Sequence, residues 1–167
     1  MSYFINFDKI AYLEGKKPQG CILCLVRDNS EKTVNLKVYE TKFFTVAANL
    51  YPYNPGHLII FPNRHVTDIR SLSHDESCRL CETQKICLDI LERVYKPHGY
   101  NIGYNMGRIA GASIEHLHLH IIPRYPGEAG IVDLIAGQKV LVENPVQTCE
   151  KLKEEFSRLP QVSEVEQ

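Results

Sequence analysis

Histidine alternates with a large aliphatic residue in His116-Leu117-His118-Leu119-His120-Ile121, within a chain that has only seven histidines in 167 residues. A period of two is the period of a β-strand and puts Leu117, Leu119 and Ile121 on one face, toward a core. His116, His118 and His120 then form a row on the other face. Residues i and i+4 of a strand stand about 13 Å apart. An imidazole bonded to a metal at about 2.1 Å brings that metal only about 5.7 Å from its own Cβ. His116 and His120 therefore cannot share one ion on a straight strand. At least one histidine of the row is left for other chemistry.

The remaining composition narrows the setting. The chain is long enough for one domain with a real core, and 44% hydrophobic against 23% charged residues is ordinary globular usage. A net charge of −1 argues against a sequence-independent grip on nucleic acid, so no nucleic-acid partner is expected. There is no apolar run of membrane-spanning length, and residues 1–8 lack a basic region followed by a long apolar one. A cytoplasmic protein without membrane attachment is expected. Six cysteines in that setting are thiols or metal ligands rather than a disulfide framework.

In chain order, residues 3–14 read as a short helix ended by Gly15–Gly20. Cys21-Ile22-Leu23-Cys24 has the spacing of half a zinc site or of a redox pair. A redox pair belongs at the start of a helix in a βαβ unit, which Leu25–Ser30 do not suggest, so the metal reading is favoured and two further ligands are needed. Strands are expected at Val34–Tyr39, Phe43–Ala47 and His57–Phe61, with a proline-rich turn at Asn49–Gly56. Ser73 and Glu76 have the spacing of a capping box ahead of an amphipathic helix that runs to Tyr95 and ends at Lys96-Pro97. Cys78 and Cys81 are expected on its buried face. Strands follow at Tyr100–Tyr104 and around the histidines, then a short one at Val140–Glu143. Asn144-Pro145 starts a last helix whose inner face is Val146, Cys149, Leu152, Phe156 and Leu159. The expectation is an α+β fold, a mostly antiparallel sheet of about five strands with a long central helix and a C-terminal helix, as one domain over residues 1–160 and an acidic tail at 161–167.

His116-Leu117-His118-Leu119-His120-Ile121-Ile122 resembles the signature of the histidine triad (HIT) superfamily, and the flanking segments resemble its diadenosine tetraphosphate phosphorylase-like branch. Those segments are Gly20–Cys24, Asn49–His57, Arg64–Val66, Asn101–Ser113 and the C-terminal helix around Val146–Phe156. The resemblance implies a HIT-like fold and an enzyme that cleaves at the α-phosphate of a nucleoside polyphosphate, such as diadenosine tetraphosphate, or of a phosphoramidate. His118 would be the nucleophile that becomes nucleotidylated. His120 would bind phosphate and help the leaving group depart, and His116 would complete the triad. Asn105 and Ser113 match phosphate-contacting positions, Asn49 a ribose-binding one, and His57 a histidine that supports the triad within the nucleotide site. The resemblance also implies a structural zinc on Cys21, Cys24, His65 and His116, and a homodimer. After the triad this chain has Pro123-Arg124-Tyr125 and Gly127-Glu128-Ala129-Gly130-Ile131, where that branch usually has Pro-Arg-Trp and Gly-Asp-Thr-Asn-Phe. An inward-pointing Glu128 would repel a phosphate acceptor, so hydrolysis is expected over phosphorolysis.

Overall fold

The structure, a computed structural model, describes residues 19–128, 130 and 143–160. The expected helix at 3–14, most of the strand at 140–143 and the tail at 161–167 lie outside the described residues. Five strands form one antiparallel sheet: β1 (Lys37–Glu40), β2 (Phe44–Ala48), β3 (Leu58–Pro62), β4 (Gly99–Tyr104) and β5 (Leu119–Arg124). Their order across the sheet is β1-β2-β3-β5-β4. This is the expected α+β architecture.

The sheet has two differently covered faces. On one face Val38, Phe44, Val46, Leu58, Ile60, Leu119 and Ile121 are buried beneath two helices, α2 (His74–Tyr95) and α3 (Pro145–Ser157). On the other, Ala47, Ile59 and Phe61 pack with Leu23 and Val26 of a six-residue helix, α1 (Ile22–Arg27). The period of two carries the histidines onto this second face, since the aliphatic residues between them belong to the first.

Helix α2 starts where its cap requires. The Ser73 hydroxyl accepts the Glu76 N–H at 3.1 Å, and the Glu76 carboxylate accepts the Ser73 N–H at 2.7 Å. This reciprocal cap contributes about 1 kcal/mol. The Arg64 guanidinium also donates to Glu76, at 2.6 and 2.7 Å, and ties the helix start to the segment after β3. The helix ends at Lys96 in the left-handed conformation, before Pro97.

Four details of the sequence reading are corrected. Cys78 and Cys81 are exposed, not buried. The inner stripe runs through Leu80, Thr83, Cys87, Ile90 and Leu91, and at about 100° per residue Cys78 and Cys81 turn away from it. Val146 is 46% exposed, while Thr148, Cys149, Leu152 and Phe156 form the buried face of α3. The first strand pairs from Lys37, leaving Val34 exposed. Finally, the residues after the first C-x-x-C are helical. Leu23 and Val26, one turn apart, dock on Ile59 and Phe61 and hold the short helix in place. Among the described residues no helix is long and apolar enough to cross a membrane.

Candidate metal centre and reaction cavity

β5 begins formally at Leu119, because β3 and β4 pair with it only from there. Leu117 instead donates its N–H to the carbonyl of Val66 at 2.7 Å. The alternation of faces nevertheless persists through His116 and His118. Both are buried, at 1% and 5% exposure, so the row is not a solvated strand face.

The row divides into two sites. At its first end, Cys21 and Cys24 on α1 meet His65, from the segment after β3, and His116. All four ligand atoms lie within 4.8 Å of one another. A tetrahedral ion with thiolate bonds of about 2.3 Å and imidazole bonds of about 2.1 Å holds neighbouring sulfur and nitrogen about 3.6 Å apart. The corresponding separations are 3.3 Å for Cys21 Sγ–His116 Nδ1, 3.5 Å for Cys24 Sγ–His65 Nδ1 and 3.6 Å for Cys24 Sγ–His116 Nδ1. The four residues thus fit a metal ion and would fill its tetrahedron. The His116 Nε2–H donates to the Pro62 carbonyl at 3.0 Å, which leaves Nδ1 with its lone pair toward the thiols. Burial, then the neighbouring Cys21, push the Cys24 thiol up to about 11; a bound cation is what draws such a thiol out as thiolate.

At the other end His118 and His120 line a cavity together with Asn49, Asn105, Ser113, Tyr51 and Tyr53. Its apolar wall is Ile22, Leu23 and Val26 of α1, with Leu36, Ala47 and Ile59. The sequence reading missed the contribution of α1 to this wall. The signal was the apolar spacing 22/23/26 of one helix face. Asn105 and Ser113 flank a turn in which Gly107 and Gly111 adopt φ of 88° and 90°, a region that favours glycine.

Hydrogen bonds assign the protons of the two cavity histidines. His118 Nδ1 lies 2.8 Å from the His116 carbonyl, which can only accept, so Nδ1 carries the proton and Nε2 keeps its lone pair. His57 works in the opposite sense. Its Nδ1 accepts the Tyr53 N–H at 3.1 Å, so its proton sits on Nε2, 3.0 Å from His120 Nδ1. His120 therefore accepts at Nδ1 and carries its own proton on Nε2. One imidazole offers the cavity a lone pair and the next an N–H. His57 is fully buried and stands behind His120 rather than in the cavity lining. Asn49 accepts the Tyr51 N–H at 3.0 Å and turns its Nδ2 toward the His57 ring.

Burial keeps these rings neutral. It lowers His118 below the ordinary imidazole value, against the pull of the His116 carbonyl. Burial, then the neighbouring His118, take His120 down to about 4. His57 lies well below the usual range, through burial and then the charges of His120 and His118. At neutral pH the row is thus uncharged, as a nucleophilic imidazole requires.

Arg124 and Glu128 are elsewhere. Glu128 accepts from Arg124 Nε and Asn54 Nδ2, both at 2.9 Å, and from the Tyr125 N–H at 3.1 Å. Neither residue lines the cavity. The expected repulsion between an inward Glu128 and a phosphate acceptor has no structural basis, because the carboxylate is turned onto Arg124 and its own loop.

Residues 29–127 match the HIT domain family. The chain belongs to the HIT family. It is 39% identical over 126 residues to AP-4-A phosphorylase of Mycobacterium tuberculosis (strain ATCC 25618 / H37Rv), an alignment that covers 75% of this chain and 65% of that protein. The chain thus spans just under two thirds of that relative. It is 33% identical over 97 residues to bis(5'-nucleosyl)-tetraphosphatase [asymmetrical] of Schizosaccharomyces pombe, covering 58% and 53% of the two chains. The fold superposes on a Zn-bound histidine triad family protein from Mycobacterium smegmatis with a TM-score of 0.67 at 18% identity, over 84% of this chain and 95% of that one.

Proposed function

We propose that the chain is a nucleotidyl-histidine enzyme that cleaves at the α-phosphate of a nucleoside polyphosphate, a dinucleoside tetraphosphate being the first candidate. The observation that carries this reading is the paired polarity of His118 and His120, a lone pair beside an N–H in a neutral cavity. His118 Nε2 attacks the α-phosphorus and the bond to the bridging oxygen breaks, with the electron pair leaving on the polyphosphate. The His120 Nε2–H donates to the oxygen on which charge develops. A polyphosphate departs as an anion and needs no proton, whereas the amine of a phosphoramidate does. His57 is a positioning residue that holds His120 in the tautomer with its proton outward. Ser113 and Asn105 border the phosphate, and Asn49 the ribose, with the base against the α1 wall.

Water is the acceptor we favour for the nucleotidyl group, since the cavity lining holds no lysine or arginine among the described residues to retain a free phosphate. Phosphorolysis is the second reading, favoured by the likeness to the mycobacterial phosphorylase. Incubation with diadenosine tetraphosphate, with and without millimolar phosphate, separates them. Hydrolysis gives AMP and ATP in both; ADP formed only with phosphate identifies a phosphorylase. A chain that yields neither overturns the enzymatic reading.

The ion at Cys21, Cys24, His65 and His116 is zinc in this reading, supported by the S₂N₂ donor set and by the zinc in the mycobacterial neighbour. Filled by four protein ligands it is structural. The six cysteines are all free, which suits a reducing cytoplasm. A homodimer is also proposed, with edge strand β4 and its exposed Ile102 as one available surface; sedimentation velocity tests it.

A further inference from the structure

A second groove adjoins the reaction cavity. It is lined by Gly20, Arg108, Ala112 and Glu115 over a floor of Cys21, His65 and His116, and it shares Ile22, Ser113 and Ile114 with the cavity. Ser113, beside His118 and His120 on one side, therefore borders this groove on the other. The charge of the two spaces differs. Among the described residues lining the cavity there is no lysine or arginine. A dinucleoside tetraphosphate brings about four negative charges to such a site, whereas the groove that adjoins it carries an arginine, Arg108. Arg64 and Arg124 are engaged with Glu76 and Glu128. Arg108 is exposed and forms no ion pair among the described residues.

Its place is fixed by the backbone rather than by a partner. Arg108 opens a 3-10 turn, Arg108–Ala110, in which Ala110 and Ala112 donate to the Gly107 carbonyl at 3.1 and 3.2 Å and Gly111 donates to that of Arg108 at 3.0 Å. The same turn places Asn105, Gly111 and Ser113 on the cavity. A guanidinium on this turn meets an anion that has passed Ser113.

We infer that this groove is the subsite for the leaving group, and that Arg108 binds its distal phosphates and so selects substrates with a long polyphosphate. This rests on the nucleotidyl-transfer reading above and adds to it which group chooses the leaving side. Glu115, on the same groove, opposes the selection and limits its strength. Arg108 makes no contact with the α-phosphate or with the nucleoside in this arrangement.

The test compares three probes that share adenosine and differ in leaving group: adenosine 5'-phosphoramidate, diadenosine triphosphate and diadenosine tetraphosphate. Arg108→Ala should lower kcat/KM about tenfold for the tetraphosphate, less for the triphosphate, and leave the phosphoramidate within about twofold. Arg108→Lys should recover most of the loss, since a point charge suffices for a phosphate. Glu115→Gln should shift the tetraphosphate the other way, upward by about twofold. An equal loss on all three probes, or none on the tetraphosphate, overturns the subsite. So does a wild-type protein that cleaves only the phosphoramidate. Wild-type protein that cleaves none of the three overturns the nucleotidyl-transfer reading itself, and the subsite with it.

Discussion

His116 and His118 are two residues apart on one extended segment, are both buried, and present opposite nitrogens. His116 gives its Nε2 proton to the Pro62 carbonyl and turns Nδ1 to the thiols. His118 gives its Nδ1 proton to the His116 carbonyl and turns Nε2 to the cavity. The choice is made by which main-chain carbonyl lies within reach, not by the side chain. A backbone acceptor thereby decides which ring nitrogen each of these two histidines presents, and a third histidine, His57, makes the same decision for His120.

The largest effect should come from removing the nucleophile. His118→Asn should abolish turnover while nucleotide affinity stays within a few-fold, because the lost interaction belongs to the transition state. Single-turnover assays with labelled nucleotide check this, and retention of more than about a hundredth of the wild-type rate would falsify covalent catalysis by His118. At the metal end, Cys21→Ser should remove most of the metal and lower Tm by about 10 °C, whereas Cys78→Ser, on the solvent side of α2, should change neither. Metal analysis beside thermal unfolding separates the two, and full occupancy in the Cys21/Cys24 double variant sinks the four-residue site.

His120→Asn should cost about a hundredfold, with a smaller deficit for a polyphosphate than for a phosphoramidate, whose amine needs a proton. His57→Phe should cost about tenfold through the lost tautomer, and the loss should appear in kcat more than in KM. Equal losses in both parameters would mean that His57 binds substrate rather than orienting His120. The smallest effect is a stability change with pH. His57 and His120 have folded values below the ordinary 6.5, His120 at about 4. Between those limits the unfolded chain binds protons that the folded chain does not. Stability is therefore full above about pH 6.5 and falls as pH drops toward 4. Urea titrations of wild type and His120→Asn at pH 7 and 5 should show the smaller fall in the variant.

Much of this was written in the chain's local pattern. The alternation at 116–121 placed three histidines on one face and barred His116 and His120 from a common ion, because strand rise and imidazole reach are local quantities. The capping box at Ser73 and Glu76 and the Asn144-Pro145 start were legible for the same reason: each is satisfied within a few residues. The phase of α2 was not, since Cys78 and Cys81 fit an apolar stripe by composition and only the position of the sheet decides which stripe is covered. The helix after Cys21 was equally hidden, because its six residues are held by Ile59 and Phe61 rather than by their own propensity.

Tertiary structure alone decided the proton positions. Pro62 lies 54 residues from His116 and His57 lies 63 from His120 in sequence, so no local pattern reveals which carbonyl or ring meets which nitrogen. It alone turned Glu128 onto Arg124 and out of the cavity. The residue types and their faces follow from backbone periodicity, which is local; the tautomers and the charge at the site follow from contacts made across the sheet, which exist only once the chain has folded.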